Sequence, residues 1–241
     1  MRVVLFGATG MVGSGVLLEC LDSPRVTSVL AIGRNATGVH HPKLRDILHR
    51  DFLAFDAVRG DFVGMDACFF CLGVSSFRMK EADYRRQTHD MTLAAANALL
   101  AESPQLTFIY VSGEGTDSTA AGRTMWARVK GQTENDLLAL PFKAAYMFRP
   151  GYIQPLRGVR SKTNVYQSIY NVLGWLYPLL RRVVPAHLTT TVNVGRAMIE
   201  VGVEGYPRRI VRSNEINALA DIAAGREHAT NGSATSGGTS P

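Results

Sequence analysis

The segment Gly7-Ala8-Thr9-Gly10-Met11-Val12-Gly13 follows directly on the apolar run Val3-Val4-Leu5-Phe6, and it constrains the chain more than any other feature. Arg2 to Phe6 reads as a buried strand, and Met11 to Leu21 as a helix with Val12, Val16 and Leu17 on one face. A glycine triplet in that position has a physical use. Gly7 permits the tight turn out of the strand, Gly10 has no side chain where the backbone must approach a pyrophosphate, and Gly13 lets the helix pack close to the sheet. The unpaired N–H groups and positive dipole end of the helix then face the phosphates. Gly7, Thr9, Gly10, Met11, Val12 and Gly13 are therefore the expected contacts of a dinucleotide.

The rest of the chain supports that context. Further strands are predicted over Val26–Ile32, Leu44–Leu48, Asp66–Leu72, Leu106–Val111 and Phe142–Phe148. Helices are predicted over Glu81–Ala101, which Ser103-Pro104 ends, and over Arg123–Leu140, which Pro141 ends. Strand and helix alternate through about 150 residues, which argues for right-handed crossovers and a parallel sheet covered on both faces. The expected fold class is α/β: a doubly wound parallel sheet, or Rossmann fold, with a small C-terminal substrate lid. Thr163–Leu180 has apolar pairs at helical spacing, Val192–Val201 reads as a helix and Arg209–Val211 as a short strand. One domain is expected over residues 1–224, with lid elements within 151–190. Gly225 to Pro241 holds four Gly, three Ser, three Thr and no large apolar residue, and is expected to be a disordered tail.

The end of the second strand bears on the choice of cofactor. An NAD site usually places an acid there for the ribose 2′-OH. This chain reads Ala31-Ile32-Gly33-Arg34-Asn35. Arg34 stands where a guanidinium can grip a 2′-phosphate, so NADP(H) is expected over NAD(H).

Charge is the second unusual feature. The formal net charge is +6, yet no acidic residue lies between Leu137 and Ile199, a stretch that carries Lys143, Arg149, Arg157, Arg160, Lys162, Arg181, Arg182 and Arg196. Such a segment suggests an anionic ligand or surface. Packing or dimerisation with a solvated basic rim, a lid over a small and anionic substrate, and contact with a membrane surface are the readings in descending order. A nucleic-acid partner is not expected, because no DNA- or RNA-binding signature accompanies the charge. Of the three cysteines, Cys68 and Cys71 form a CxxC inside the apolar run Ala67–Leu72, which reads as core. No spaced histidine pair or second CxxC completes a metal site, and none is expected. Met1-Arg2 runs straight into the first strand with no signal-peptide pattern, and no apolar run is long enough to span a bilayer, so the expected location is cytoplasmic.

Taken together, the glycine turn, Arg34, Lys130-Gly131 in a late helix and Arg149-Pro150-Gly151 after the sixth strand resemble an atypical short-chain dehydrogenase/reductase. Within that superfamily the chain is similar to small NAD(P)H-binding, epimerase-like proteins related to the Tat-interacting oxidoreductase group. The resemblance covers Met1 to about Leu219. It implies that Asp51 and Phe52 lie by the adenine and that Cys71, Leu72 and Gly73 pass under the central ribose. It further implies that Ser112 hydrogen-bonds a substrate oxygen, that Lys130 binds the nicotinamide ribose, and that Pro150, Gly151 and Ile153 contact the nicotinamide end.

One position departs from the family pattern. The superfamily places a catalytic Tyr four residues before the Lys, on the same helix face. Here that residue is Trp126. An indole N–H donates a hydrogen bond but does not ionise usefully near neutral pH, so Trp126 cannot serve as the general acid. Ser112, Lys130 and Trp126 are the candidate catalytic group. Tyr152, Tyr84, His89 and Glu114 are candidates by type for the missing proton donor. The expected function is an NADP(H)-dependent oxidoreductase or epimerase-like enzyme acting on a small carbonyl or hydroxyl compound. The alternative is an NADPH-binding regulatory or scaffold protein with little or no turnover.

Overall fold

The structure, a computed structural model, describes residues 1–158 and 187–235, with side chains to residue 226. Seven strands form one all-parallel sheet in the order β3-β2-β1-β4-β5-β6-β9. They are β1 (Arg2–Phe6), β2 (Ser28–Gly33), β3 (Leu44–Leu48), β4 (Ala67–Phe70), β5 (Thr107–Val111), β6 (Ala144–Arg149) and β9 (Ile210–Arg212). Strand order reverses on either side of β1, which opens a crevice at the carboxyl ends of β1 and β4. Two short strands, β7 (Tyr152–Gln154) and β8 (Leu188–Thr190), pair in parallel outside the main sheet.

Strand alternation divides the interior into two layers. Val3, Leu5, Phe69 and Ile109 point to one face, where they meet Val16, Leu17 and Cys20 of α1 (Met11–Asp22), Val194 and Met198 of α5 (Thr191–Glu204), and Ile216 of α6 (Ser213–Thr235). Val4, Phe6, Cys68, Phe70, Phe108 and Tyr110 point to the other. There they meet Ala95, Ala96 and Leu99 of α3 (Met91–Glu102), Leu137 of α4 (Met125–Ala139), and a 3-10 helix over Asp56–Phe62. Central parallel strands buried on both faces need apolar side chains at every position, which is why these stretches read as unbroken apolar runs. The CxxC is likewise split. Cys68 belongs to the second layer and Cys71 packs against the first, both thiols are free, and burial pushes both upward in pKa.

Two sequence expectations change. The helix expected over Glu81–Ala101 is three consecutive pieces: α2 (Glu81–Arg85), a π-helical turn over Arg86–Asp90, and α3. The wide turn lets His89 sit between two carboxylates, Nδ1 2.7 Å from Asp90 Oδ1 and Nε2 2.7 Å from Asp136 Oδ2 of α4. The tail expected to be disordered from Gly225 is instead helical as far as Thr235, as part of α6. A helix already anchored by Ile216, Leu219, Ala220 and Ala223 can carry a glycine, which costs only about 1 kcal/mol against alanine. Arg226 adds ion pairs to Glu200 and Glu204 at 3.0 and 2.8 Å. The helix expected over Thr163–Leu180, with Arg160, Lys162, Arg181 and Arg182, lies outside the described residues.

Candidate functional site

The glycine turn opens the crevice. Gly7 has φ +80, and a Cβ there would press against the Cys71 carbonyl group and the Leu72 nitrogen at 2.7–2.8 Å, so β1 and β4 meet closely at their carboxyl ends. A Cβ on Gly13 would overlap the Gly7 carbonyl, so this glycine is what lets α1 start against the turn. The Gly10 N–H donates to the Gly7 carbonyl at 2.9 Å. Among the described residues no side chain caps the α1 N-terminus, and no acid lies in its first turn. Its first N–H groups therefore remain available to an anion.

From this turn a cleft of about 430 Å³ runs to the end of β2. Gly7, Thr9, Gly10 and Met11 line it at the end of β1, with Arg34 on the β2 side and Cys71, Leu72 and Gly73 on the β4 side, and Phe52 also lines it. Arg34 is exposed and makes no hydrogen bond or ion pair among the described residues. Asp46, on β3, also lines the cleft, and its carboxylate accepts from the Thr37 N–H at 3.2 Å and the Thr37 hydroxyl at 2.8 Å. Val12 and Gly13 are not among the lining residues. Nor is Asp51, whose carboxylate accepts from the Leu53 N–H at 3.0 Å and closes its own turn.

The other end of the site is built on β5, β6 and α4. Ser112 follows β5, and its hydroxyl donates to the Phe148 carbonyl at 3.1 Å. The Lys130 ammonium donates to the Ser112 carbonyl. Burial lowers the Lys130 pKa from 10.5 to about 8, with nearby Glu134 acting in the opposite direction. A Cβ on Gly131 would overlap the Asp117 carbonyl. The Lys130-Gly131 pair is thus mechanical: the glycine admits the loop after β5 against α4, and the lysine reaches the end of β5. Half-buried Trp126 packs on the same loop, its Cη2 3.1 Å from where a Gly115 Cβ would lie.

The loop after β6 completes this end. The Pro150 carbonyl accepts from the Glu114 N–H at 2.8 Å, and the Gly151 N–H donates to the Ser213 hydroxyl at 2.8 Å. Ile153 is buried in the α1/α5 layer of the core. Arg149, the first residue of Arg149-Pro150-Gly151, turns inward. Its Nε lies 3.0 and 3.1 Å from the two Glu134 oxygens and its Nη2 2.6 Å from Ser118 Oγ.

The proton-donor candidates separate clearly. Tyr84 is buried in the core, His89 is held by its two carboxylates, and the Tyr152 hydroxyl donates to Gln154 Oε1 at 2.9 Å. Glu114, on the loop after β5, is paired with His187 Nδ1. His187 carries no sequence signal, because the short β8 that positions it is too brief to register as a strand pattern. The acid-free segment is also not acid-free in space. Arg157 pairs with Glu19 and Asp22 at 2.7 and 2.8 Å, and Arg196 with Glu19 at 3.0 Å.

Comparison with known proteins identifies the fold class. The chain has a Rossmann-type fold like that of solved NAD-dependent epimerases and dehydratases. WbmG of Bordetella bronchiseptica, solved in complex with NAD, superposes with a TM-score of 0.65 at 13% identity, covering 94% of this chain and 78% of its own. DesIV of Streptomyces venezuelae, a dTDP-glucose 4,6-dehydratase solved with NAD and TYD, gives 0.63 at 14% identity, covering 93% of this chain and 81% of its own. No family model matches the chain. In sequence it is similar to "Protein FMP52, mitochondrial" of Saccharomyces cerevisiae, 29% identical over 170 residues, which is 70% of each chain. It is also similar to "Protein fmp52, mitochondrial" of Emericella nidulans, 26% identical over 159 residues, 63% of this chain and 66% of that protein. These relatives correct one expectation. The cytoplasmic location inferred from the N-terminal residues does not stand, because the proteins that this chain resembles in sequence are named as mitochondrial. An N-terminal strand reports on folding and carries no address by itself.

Proposed function

We propose that the chain is an NADP(H)-dependent oxidoreductase or epimerase-like enzyme acting on a small carbonyl or hydroxyl compound. The observation that carries this reading is the cleft itself. It joins the α1 N-terminus, which no side chain caps among the described residues, to an exposed Arg34 that makes no hydrogen bond or ion pair among them, and the Ser112–Lys130 contact stands at the carboxyl end of β5, next to β4. The residues fit a dinucleotide. Gly7 and Gly13 have no room for side chains, and a Cβ on Gly10 would lie 3.3 Å from the Gly7 carbonyl. The pyrophosphate would be held by the turn from Gly7 to Met11, and the adenosine end would lie between Phe52 and Arg34. Lys130 would hold the nicotinamide ribose, with Pro150 and Gly151 beside the ring. When bound, the reduced nicotinamide supplies a hydride. Arg34 favours the 2′-phosphate form, since the one cleft carboxylate on β3, Asp46, is already engaged by Thr37. The narrower resemblance to the Tat-interacting oxidoreductase group rests on the sequence motifs alone.

Calorimetric titration with NADPH and NADH, followed by a carbonyl panel monitored by loss of reduced-nicotinamide absorbance, tests this reading. Tighter binding of NADPH and oxidation by at least one carbonyl are expected. Failure to bind either dinucleotide overturns it. A second reading, an NADPH-binding regulatory protein, is favoured by Trp126 in the place of the acid. Binding without oxidation across the panel would select it.

A further inference from the structure

We propose that Glu114 and His187 supply the acid function that Trp126 cannot: His187 Nε2 delivers a proton to the substrate oxygen, and Glu114 is the positioning residue that holds the imidazole. The assignment rests on reading the chain as a dinucleotide-dependent oxidoreductase.

Three elements bring the pair together. Register between β7 and β8 sets Tyr152 opposite Leu188, so the preceding residues, Gly151 and His187, come side by side. A Cβ on Gly151 would overlap the His187 carbonyl and press on Glu114 Oε2 at 2.5 Å, so the absence of a side chain there is what admits both groups. Glu114 is fixed through its own backbone, its N–H donating to the Pro150 carbonyl at 2.8 Å. It lies two residues beyond Ser112 and one before Gly115, on which Trp126 packs. The pair thus shares a loop with the Ser112–Lys130 contact and borders Pro150-Gly151, at the end of the sheet where a substrate would meet the nicotinamide.

The chemistry follows from the hydrogen bond. A carboxylate accepts, so the imidazole presents Nδ1–H to Glu114 and turns Nε2 outward. Nε2 has no partner among the described residues, and the His187 side chain is 58% exposed. In the reducing direction the protonated ring gives up its Nε2–H. That bond breaks and an O–H bond forms at the substrate oxygen as the carbonyl carbon receives the hydride. The imidazole is left neutral with Nδ1–H still on Glu114, and water restores the proton. In the oxidising direction Nε2 accepts the proton of the alcohol. None of the other typed candidates can do this: Tyr84 is in the core, both nitrogens of His89 are engaged, and the Tyr152 hydroxyl is spent on Gln154.

The test uses the full chain and its His187→Gln, Glu114→Ala and Glu114→Gln variants, with NADPH and 4-nitrobenzaldehyde as the probe carbonyl. Calorimetry should give NADPH affinities within about twofold of the parent for all three, since the proposal gives neither side chain a contact with the dinucleotide and the glycine turn, Arg34 and Lys130 are unchanged. His187→Gln should lower kcat about a hundredfold with little change in KM, the usual size of a general-acid contribution. Glu114→Ala should lower kcat by about tenfold through loss of orientation. Imidazole ¹⁵N shifts should show neutral His187 as the Nδ1–H tautomer in the parent and in Glu114→Gln, which keeps an acceptor oxygen, but not in Glu114→Ala. A parent that binds NADPH but leaves the probe unreduced overturns the proposal, as does an unchanged kcat in His187→Gln or an Nε2–H tautomer in the parent. If the parent binds no NADPH, the dinucleotide reading itself falls and takes this proposal with it.

Discussion

The Lys130 ammonium donates to the backbone carbonyl of Ser112, joining the middle of α4 to the end of β5 across 18 residues of chain. The contact depends on Gly131, which lets the Asp117 carbonyl lie against the helix where any side chain would overlap it. It also takes a cation out of water, and burial lowers its pKa to about 8.

That shift has a consequence for stability. A lysine whose folded pKa lies below its unfolded value binds fewer protons folded than unfolded between pH 8 and 10.5, so its contribution becomes more favourable as pH rises through that window. Thermal unfolding of the parent and of Lys130→Met should therefore diverge in the parent's favour between those limits, relative to their difference at pH 7. A constant difference would show that the ammonium is as well solvated folded as unfolded.

Arg34 is exposed at the edge of the cleft and makes no hydrogen bond or ion pair among the described residues. Arg34→Ala should weaken NADPH by about tenfold to a hundredfold, the worth of one charge-assisted pair to a phosphate, and change NADH little. Calorimetry with both dinucleotides checks this, and equal losses for the two would remove Arg34 from the specificity determinants.

The sheet and the glycine turn were legible because each follows from local rules. Buried parallel strands must be apolar throughout, and a helix cannot begin against Gly7 unless position 13 lacks a Cβ. Leu44–Leu48 was legible to the residue even though its burial is partial. What stayed hidden depends on distant partners. The π-turn at Arg86–Asp90 leaves no mark in spacing over five residues. Arg149, Arg157 and Arg196 looked like an excess of charge because their partners Glu134, Glu19 and Asp22 lie outside the segment that carries them. His187 became visible only when β7 and β8 paired. Glu114 was nameable by type alone.

Trp126 packs on Gly115 from the position where the family resemblance places a tyrosine. Trp126→Tyr puts a phenol on the same helix face as Lys130, which can lower its pKa. Carbonyl reduction at pH 8 and above should rise severalfold in this variant while NADPH affinity stays the same. If the change instead abolishes an activity the parent has, the indole has its own contact with substrate.

The Arg149–Glu134 pair supports the loop that carries Pro150 and Gly151. Both partners are buried, and Arg149 also bonds the Ser118 hydroxyl, so α4, the end of β6 and the loop after β5 converge on one guanidinium. Breaking a buried pair by removing one partner typically costs about 3–5 kcal/mol, because the remaining charge is left unpaired away from water. Arg149→Met should show a loss of that order in urea unfolding, and Glu134→Gln a smaller one, since the amide oxygen still accepts from the guanidinium. The double variant Arg149→Met/Glu134→Leu removes both charges and should recover part of the loss. Losses that simply add in the double variant would mean the two residues act separately, and the pair would then be no more than a contact.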